Sequence, residues 1–238
     1  MRTVTCLTGL VLAILALGGA GSVPMSGPEY TTDFRLEGRQ FKASGGNAYF
    51  SLNPGKFWRY EGTEDGEEVE LEITVLPQTK LIAFKIKGQD KVVNTRVIEE
   101  REWIDDDLVE VSRNYFARDL RGDVFYFGED VDIYENGKIV GHDGAWRAGL
   151  KGAIPGLIMP ELFLVGARYH QEIAPGIAMD RAEHTDMGFK VKTPAGEFSS
   201  CVKVVETSPL EPGAESVKLY APGVGLVATD TLKLVEFH

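Results

Sequence analysis

From Ala48 onward the chain alternates apolar and polar residues and shows almost no helical period. Glu68, Glu70 and Glu72 interleave with Val69, Leu71 and Ile73, which puts acids on one face of a strand and aliphatics on the other. Further strand-like runs follow at Leu81–Lys87, Lys91–Trp103, Leu108–Arg118, Val124–Phe127, Val131–Tyr134 and Lys138–Gly141. They resume at Tyr169–Ala174, Phe189–Thr193, Phe198–Thr207, Glu215–Ala221 and Gly225–Phe237. Turn chemistry fills the breaks, at Gly88-Gln89-Asp90, Asp105-Asp106-Asp107, Arg121-Gly122-Asp123, Pro194-Ala195-Gly196 and Pro209–Gly213. Asn136-Gly137 predicts a tight type I′ hairpin, because both residues tolerate positive φ.

The pattern predicts an all-β fold. Residues 48–238 should form a single antiparallel domain, a strongly curved meander sheet or β-barrel (half-barrel or lipocalin-like), with few or no long helices. Trp146–Val165, interrupted by Pro155 and Pro160, resists a strand reading and is expected to be a long ordered loop with room for one helical turn. Residues 21–47, rich in Gly, Ser, Pro and charge, read as a flexible linker with a short strand near Phe34–Phe41.

The first twenty residues read as a secretory signal peptide: Arg2, an apolar run from Val4 to Leu17, then Gly18-Gly19-Ala20 with cleavage after Ala20. The apolar run is shorter than the roughly 20 residues that span a bilayer, and no later segment is long and apolar enough to cross. The expected location is therefore periplasmic or extracellular, through the secretory pathway. Cys6 stands at the start of the apolar run, the wrong place for lipid attachment. Removal of residues 1–20 leaves 24 Lys and Arg against 36 Asp and Glu, a formal charge of −12. That balance excludes nucleic acid as a partner and argues against docking to an anionic membrane face. It also leaves Cys201 as the one thiol, which rules out a disulfide within the mature chain and fits an inert, half-buried cysteine.

Two segments frame the alternating region. They are Tyr49-Phe50-Ser51-Leu52-Asn53-Pro54-Gly55-Lys56-Phe57-Trp58-Arg59-Tyr60 and Tyr220-Ala221-Pro222-Gly223-Val224-Gly225-Leu226-Val227. Between them, in order, lie Tyr126-Phe127-Gly128-Glu129-Asp130, Tyr134-Glu135-Asn136-Gly137, Gly144-Ala145-Trp146-Arg147-Ala148-Gly149, Pro155-Gly156-Leu157-Ile158-Met159-Pro160 and Pro209-Leu210-Glu211-Pro212-Gly213. This set, spanning roughly residues 48–230, resembles a family of uncharacterised bacterial exported proteins and lipoproteins. Members open on Y-F-P-L-x-P-G-x-x-W-x-Y and end on Y-A-P-G-V-G-L-V. The resemblance implies an all-β exported domain and carries over no catalytic residue. The chain departs from the pattern at Ser51, where proline is usual, and at His170, Met179 and His184.

Signatures of chemistry are sparse. The chain holds no Gly-x-Ser-x-Gly elbow, phosphate-cradling loop, His-Glu-x-x-His or Cys-x-x-Cys. Gly223-Val224-Gly225-Leu226-Val227-Ala228 fits a dinucleotide fingerprint only superficially and reads as a glycine-rich β-turn. Arg121-Gly122-Asp123 matches an adhesion tripeptide but reads as a charged turn. The acidic run at Glu68–Glu72 lacks calcium-loop spacing and reads as a solvated sheet face.

The sequence requires no cofactor. A divalent metal has one candidate site, His170, Asp180, His184 and Asp186, where mixed carboxylate and imidazole ligands suit zinc or a harder ion. Met179 and Met187 would face the other side of such a strand, which weakens a copper(I) reading. Acid pairs for an exported hydrolase would be Glu129 with Asp130 or Asp180 with Glu183, though neither is marked as buried, so no catalytic residue is assigned. The leading expectation is a non-enzymatic binding or carrier module with an apolar interior, taking an apolar small molecule. Trp103, Tyr115, Phe127 and Trp146 are the candidate lining residues, with Phe57 and Phe125.

Overall fold

The alternation is realised as long antiparallel strands. The computed structural model describes residues 29–238, so the export-signal reading of residues 1–20 falls outside the described residues. The first half of the fold comprises β1 (Phe41–Lys42), β2 (Phe57–Glu64), β3 (Glu67–Ile86), β4 (Gln89–Ile104), β5 (Asp107–Asp119) and β6 (Val124–Glu135). Short strands follow: β7 (Lys138–Gly141), β8 (Trp146–Arg147), β9 (Ile154–Met159), β10 (Arg168–His170) and β11 (Glu172–Ile173). The last run is β12 (Arg181–Thr193), β13 (Gly196–Ser208), β14 (Glu211–Ala221), β15 (Gly225–Ala228) and β16 (Leu232–Phe237).

Two meanders, β2 to β6 and β12 to β16, join where β16 pairs with β2. Beyond β6 lie β9 and β11, and beyond β12 lies β10. Only Gln171 separates β10 from β11 in the chain, so the two ends of the sheet are tied together. The 16 strands thus form one antiparallel sheet nearly closed into a barrel, which leaves little open edge for pairing with another chain. The all-β expectation and the Asn136-Gly137 turn are both realised, the latter with φ of 52° and 71°.

A bulge divides the wall. Pro77 lacks an N–H for the ladder and sits in the register shift between Val75 and Thr79. Arg96 compensates by donating to the carbonyls of Leu76, Pro77 and Gln78 at 3.2, 2.7 and 3.2 Å, and to Ala43 at 2.9 Å. Below this point β4 pairs only with β3, and β1 takes the vacated edge of β5. The departing β3–β4 arm and the chain before β1 cover the outer face of the wall. Phe34 and Phe41 meet Phe125 edge-on at 5.7 and 5.6 Å, and Phe41 and Phe84 pack on Phe127 at 5.3 and 5.9 Å. The protein therefore has an outer apolar layer as well as the barrel interior.

Two expectations are corrected here. The stretch read as a flexible linker is, from residue 29 on, docked to the sheet: Phe34 and Leu36 are buried and β1 is paired. Gly, Ser and charge suit a linker, but Phe34, Leu36 and Phe41 are apolar anchors that match the outer face of the sheet. The Trp146–Val165 loop contains β8 and β9 and no helical turn: Pro155 lies near the start of the short strand β9, and Pro160 directly follows its last residue. Elsewhere paired runs fuse, as at β3 and β6, since an antiparallel strand continues through a bulge that sequence alternation alone reads as a break.

Candidate functional site

The two framing segments meet in space. Trp58 donates its indole N–H to the carbonyl of Val224 at 2.8 Å, and Tyr60 its hydroxyl to that of Leu226 at 2.9 Å. Gly223 N–H closes a third bond, to Ala48 at 2.7 Å. Beneath them the barrel holds a cavity of about 90 Å³. Its walls are Trp58 and Tyr60 of β2, Leu71 and Ile73 of β3, Ile98 of β4, Phe116 of β5, Tyr126 of β6 and Tyr220 of β14. Tyr49, Phe50 and Ser51 form its lid. Phe50, Ser51, Trp58 and Gly225 also line a neighbouring groove of about 280 Å³.

Two charged groups enter this apolar space, Glu100 and Lys218. Glu100 sits on the inward face of β4 opposite Ile73 of β3 and Ser112 of β5. Both Glu100 and Lys218 keep part of their surface open, toward the cavity they line. Burial raises the Glu100 carboxyl to about 7, against the pull of the Lys218 ammonium and with a further push from Glu110. Among the described residues none donates a hydrogen bond to it. Lys218, by contrast, is committed: its ammonium lies 2.6 Å from Glu206. Burial alone would lower its pKa, but Glu206, Glu100 and Asp180 more than offset this and hold it charged.

Behind the cavity the polar interior extends to the seam of the barrel. Gln171 donates its side-chain amide to Glu206 at 2.7 Å, and its backbone N–H to the Asp180 carbonyl at 2.7 Å. The Asp180 carboxyl is raised to about 6 by burial and Glu206, and Glu172 is raised by burial and Asp180. Toward the far end of β4, burial and Glu110 push Glu102 up to about 9. The interior therefore carries several buried acids around a single buried lysine.

The aromatic candidates are dispersed, not gathered around the cavity. Tyr115 and Phe127 have opposite strand parity to the cavity residues Phe116 and Tyr126, and so face the outer layer. Tyr115 donates its hydroxyl to Asp130 at 2.5 Å, and Phe127 is fully buried against Phe41 and Phe84. Trp103 alternates with the inward Glu102 and so faces outside, into an open groove beside Glu61, Glu68, Glu70 and Asp106. Trp146 packs edge-on against Tyr126 at 5.3 Å and lines a separate pocket of about 230 Å³ with Glu129 and Arg147. Phe57 stacks on His238 and Phe125 belongs to the outer layer.

The candidate metal residues do not converge either. His184 is fully buried, stacked on Phe163 at 3.8 Å and bonded through Nε2 to the Tyr169 hydroxyl at 2.8 Å. Burial lowers it to about 4. His170 meets the edge of the Tyr30 ring at 6.2 Å, and burial lowers it as well. A register shift between His184 and Asp186 turns Asp186 out to solvent, where it accepts from Met187 N–H at 2.7 Å. Asp180 points instead into the acid interior. No group of three His, Cys, Asp or Glu suited to hold a metal ion occurs among the described residues.

The acid pairs are split in the same way. Asp130 bonds Arg147 at 2.5 Å and Tyr115, away from its buried neighbour Glu129, and Glu183 pairs with Arg168 at 2.6 Å, away from Asp180. Cys201 is free and wholly buried.

The residues sequence reasoning passed over are Trp58, Tyr60, Tyr220, Glu100 and Lys218. One signal was present: Ile98, Glu100, Glu102 and Ile104 share a face, so two acids interrupt an apolar stripe. Compared with protein-family models, curated proteins and solved structures, the chain finds no match in any of the three.

Proposed function

We propose that this protein is an exported, non-enzymatic binding module that holds one compact small molecule inside its barrel. The observation that carries the reading is the aromatic cavity flanked by the two framing segments, with a second groove beside it. A space of about 90 Å³ has room for about three waters or for an organic molecule of a few heavy atoms. Aromatic walls with a few placed polar groups suit recognition of such a body. The split acid pairs and the buried, unassisted Cys201 offer no nucleophile with an adjacent base, which favours binding over turnover. Export rests on the basic, apolar and small-residue order of Met1 to Ala20.

Native mass spectrometry and thermal melts of the protein with a panel of small organic compounds of about three to five heavy atoms test the reading. Uptake of at least one compound, with a raised Tm that is lost in the cavity-filling variant Ile73→Trp, is the expected result. A panel that leaves mass and Tm unchanged in the wild type would overturn it.

A further inference from the structure

We infer that the cavity takes a protonated organic amine on a short apolar body of a few carbons, with the Glu100 carboxylate as its counter-ion. This rests on the binding reading above and adds the chemical class of the ligand.

Three features point to a cation. The cavity presents the rings of Trp58, Tyr60 and Tyr220, whose π faces attract a positive charge. The Glu100 carboxyl borders the same space and receives no hydrogen bond from a described residue, so a neutral or apolar guest would leave it desolvated and unpaired. An ammonium group supplies both the donor and the charge that it lacks.

Lys218 does not reverse this preference. Its ammonium is held at 2.6 Å by Glu206. Glu100 and Asp180 also act on it, and Glu172 and Glu110 belong to the same electrostatic network. The local balance is one buried cation among several carboxyls, a field that repels carboxylate or phosphate guests. The groups that face or act on Glu100 are Ile73 of β3, Glu102 of β4, Ser112 and Glu110 of β5, Lys218 of β14 and the phenols of Tyr60 and Tyr220. Of these Lys218 alone is basic. A bound cation also favours the ionised carboxylate, so affinity for an amine should weaken as the solution is acidified below the range where Glu100 ionises.

The test is calorimetric titration of the full chain with propylamine, propanol and propionate, three size-matched probes of different charge, at about pH 8 and about pH 5.5. Propylamine should bind at the higher pH, at least about tenfold more tightly than either counterpart, and should weaken at the lower pH. Glu100→Gln should lower propylamine affinity about tenfold or more while propanol binding holds or improves. Equal or tighter binding of propanol or propionate by the wild type overturns the amine class and leaves the binding module standing. That comparison needs no variant, so it decides even where Glu100→Gln fails to fold. Absence of binding by all three probes overturns the amine class, and the wider compound panel then decides the fate of the binding reading.

Discussion

Trp58 and Val224, 166 residues apart in sequence, are joined by an indole N–H to carbonyl bond of 2.8 Å. The bond fastens the strand that opens the barrel, β2, to the turn that feeds β15, directly over the cavity. Because β16 pairs with β2, this contact lies on the same side of the barrel as the junction of the two meanders. Trp58→Phe keeps one aromatic ring but removes the donor and the pyrrole half of the indole, so it should cost about 1–3 kcal/mol in urea unfolding. Trp58→Ala also opens a void and should cost about 3–5 kcal/mol. Equal losses for the two variants would show that the bond, not the ring, dominates.

The β2–β16 junction also depends on the absence of a side chain. Gly62 pairs with Leu232, and a Cβ placed on it would lie 2.0 Å from the Thr231 carbonyl oxygen. That oxygen is backbone and has no flexible way to retreat. Gly62→Ala should therefore destabilise by about 1–3 kcal/mol, while Thr63→Ala at the exposed neighbouring position should stay within about 0.5 kcal/mol. Chemical denaturation of the two variants side by side checks the claim, and a Gly62→Ala midpoint matching wild type would refute it.

His184 serves packing. It is sandwiched between Phe163 and the Tyr169 hydroxyl, and burial holds it near 4, below the ordinary histidine value of 6.5. A base whose folded pKa is lowered contributes stability that is complete above the unfolded value. That stability is lost as pH falls through the folded one, here between about 6.5 and about 4. His184→Phe removes this acid-side loss but leaves the Tyr169 hydroxyl unpaired, at about 1–3 kcal/mol near neutral pH. Melting curves across that window should be flatter for the variant than for wild type. Added zinc should move neither curve, since Asp180 and Asp186 point elsewhere; a zinc-dependent rise in the wild type alone would restore a metal role.

How much of this was legible depends on which physical rule governs each element. Alternation revealed the strands and the turn residues revealed Asn136-Gly137, because both are local. The two framing segments were visible as aromatic sequence with Pro-Gly turns, but their mutual docking is a contact between β2 and β15 that no local pattern encodes. Parity decided the aromatics: Phe127 and Tyr126 are adjacent in sequence and face different layers, and the sequence does not announce that both layers are apolar. Glu100 was hidden by its surroundings in Glu99-Glu100-Arg101-Glu102, where charge on both faces resembles a solvated strand. Nothing local in the Glu215–Ala221 run marks Lys218, and it is closure of the barrel that sets it beside Glu206.

The same closure predicts an unusual pH profile. Glu102 lies on β4 opposite Leu71 of β3 and Glu110 of β5, and burial with Glu110 raises it to about 9. Burial also raises Glu100 to about 7 and Asp180 to about 6. A carboxyl whose folded pKa is raised holds its proton in the folded state after the unfolded chain has released it. Its stabilisation is complete below the unfolded value, near 4.5 for Glu102, and is lost as pH climbs to about 9. The His184 effect runs the other way but ends near pH 6.5, so the acids govern the range above it. Wild-type Tm should therefore decline steadily between about pH 7 and about pH 9, against the flat profile of a protein with solvated carboxylates. Glu102→Gln keeps the shape and removes the charge. It should recover on the order of 2 kcal/mol at the alkaline end, about 4–8 °C in Tm for a domain of this size. Parallel wild-type and Glu102→Gln profiles over that range would mean that Glu102 ionises freely inside the barrel, and the account of a proton-holding interior would fail.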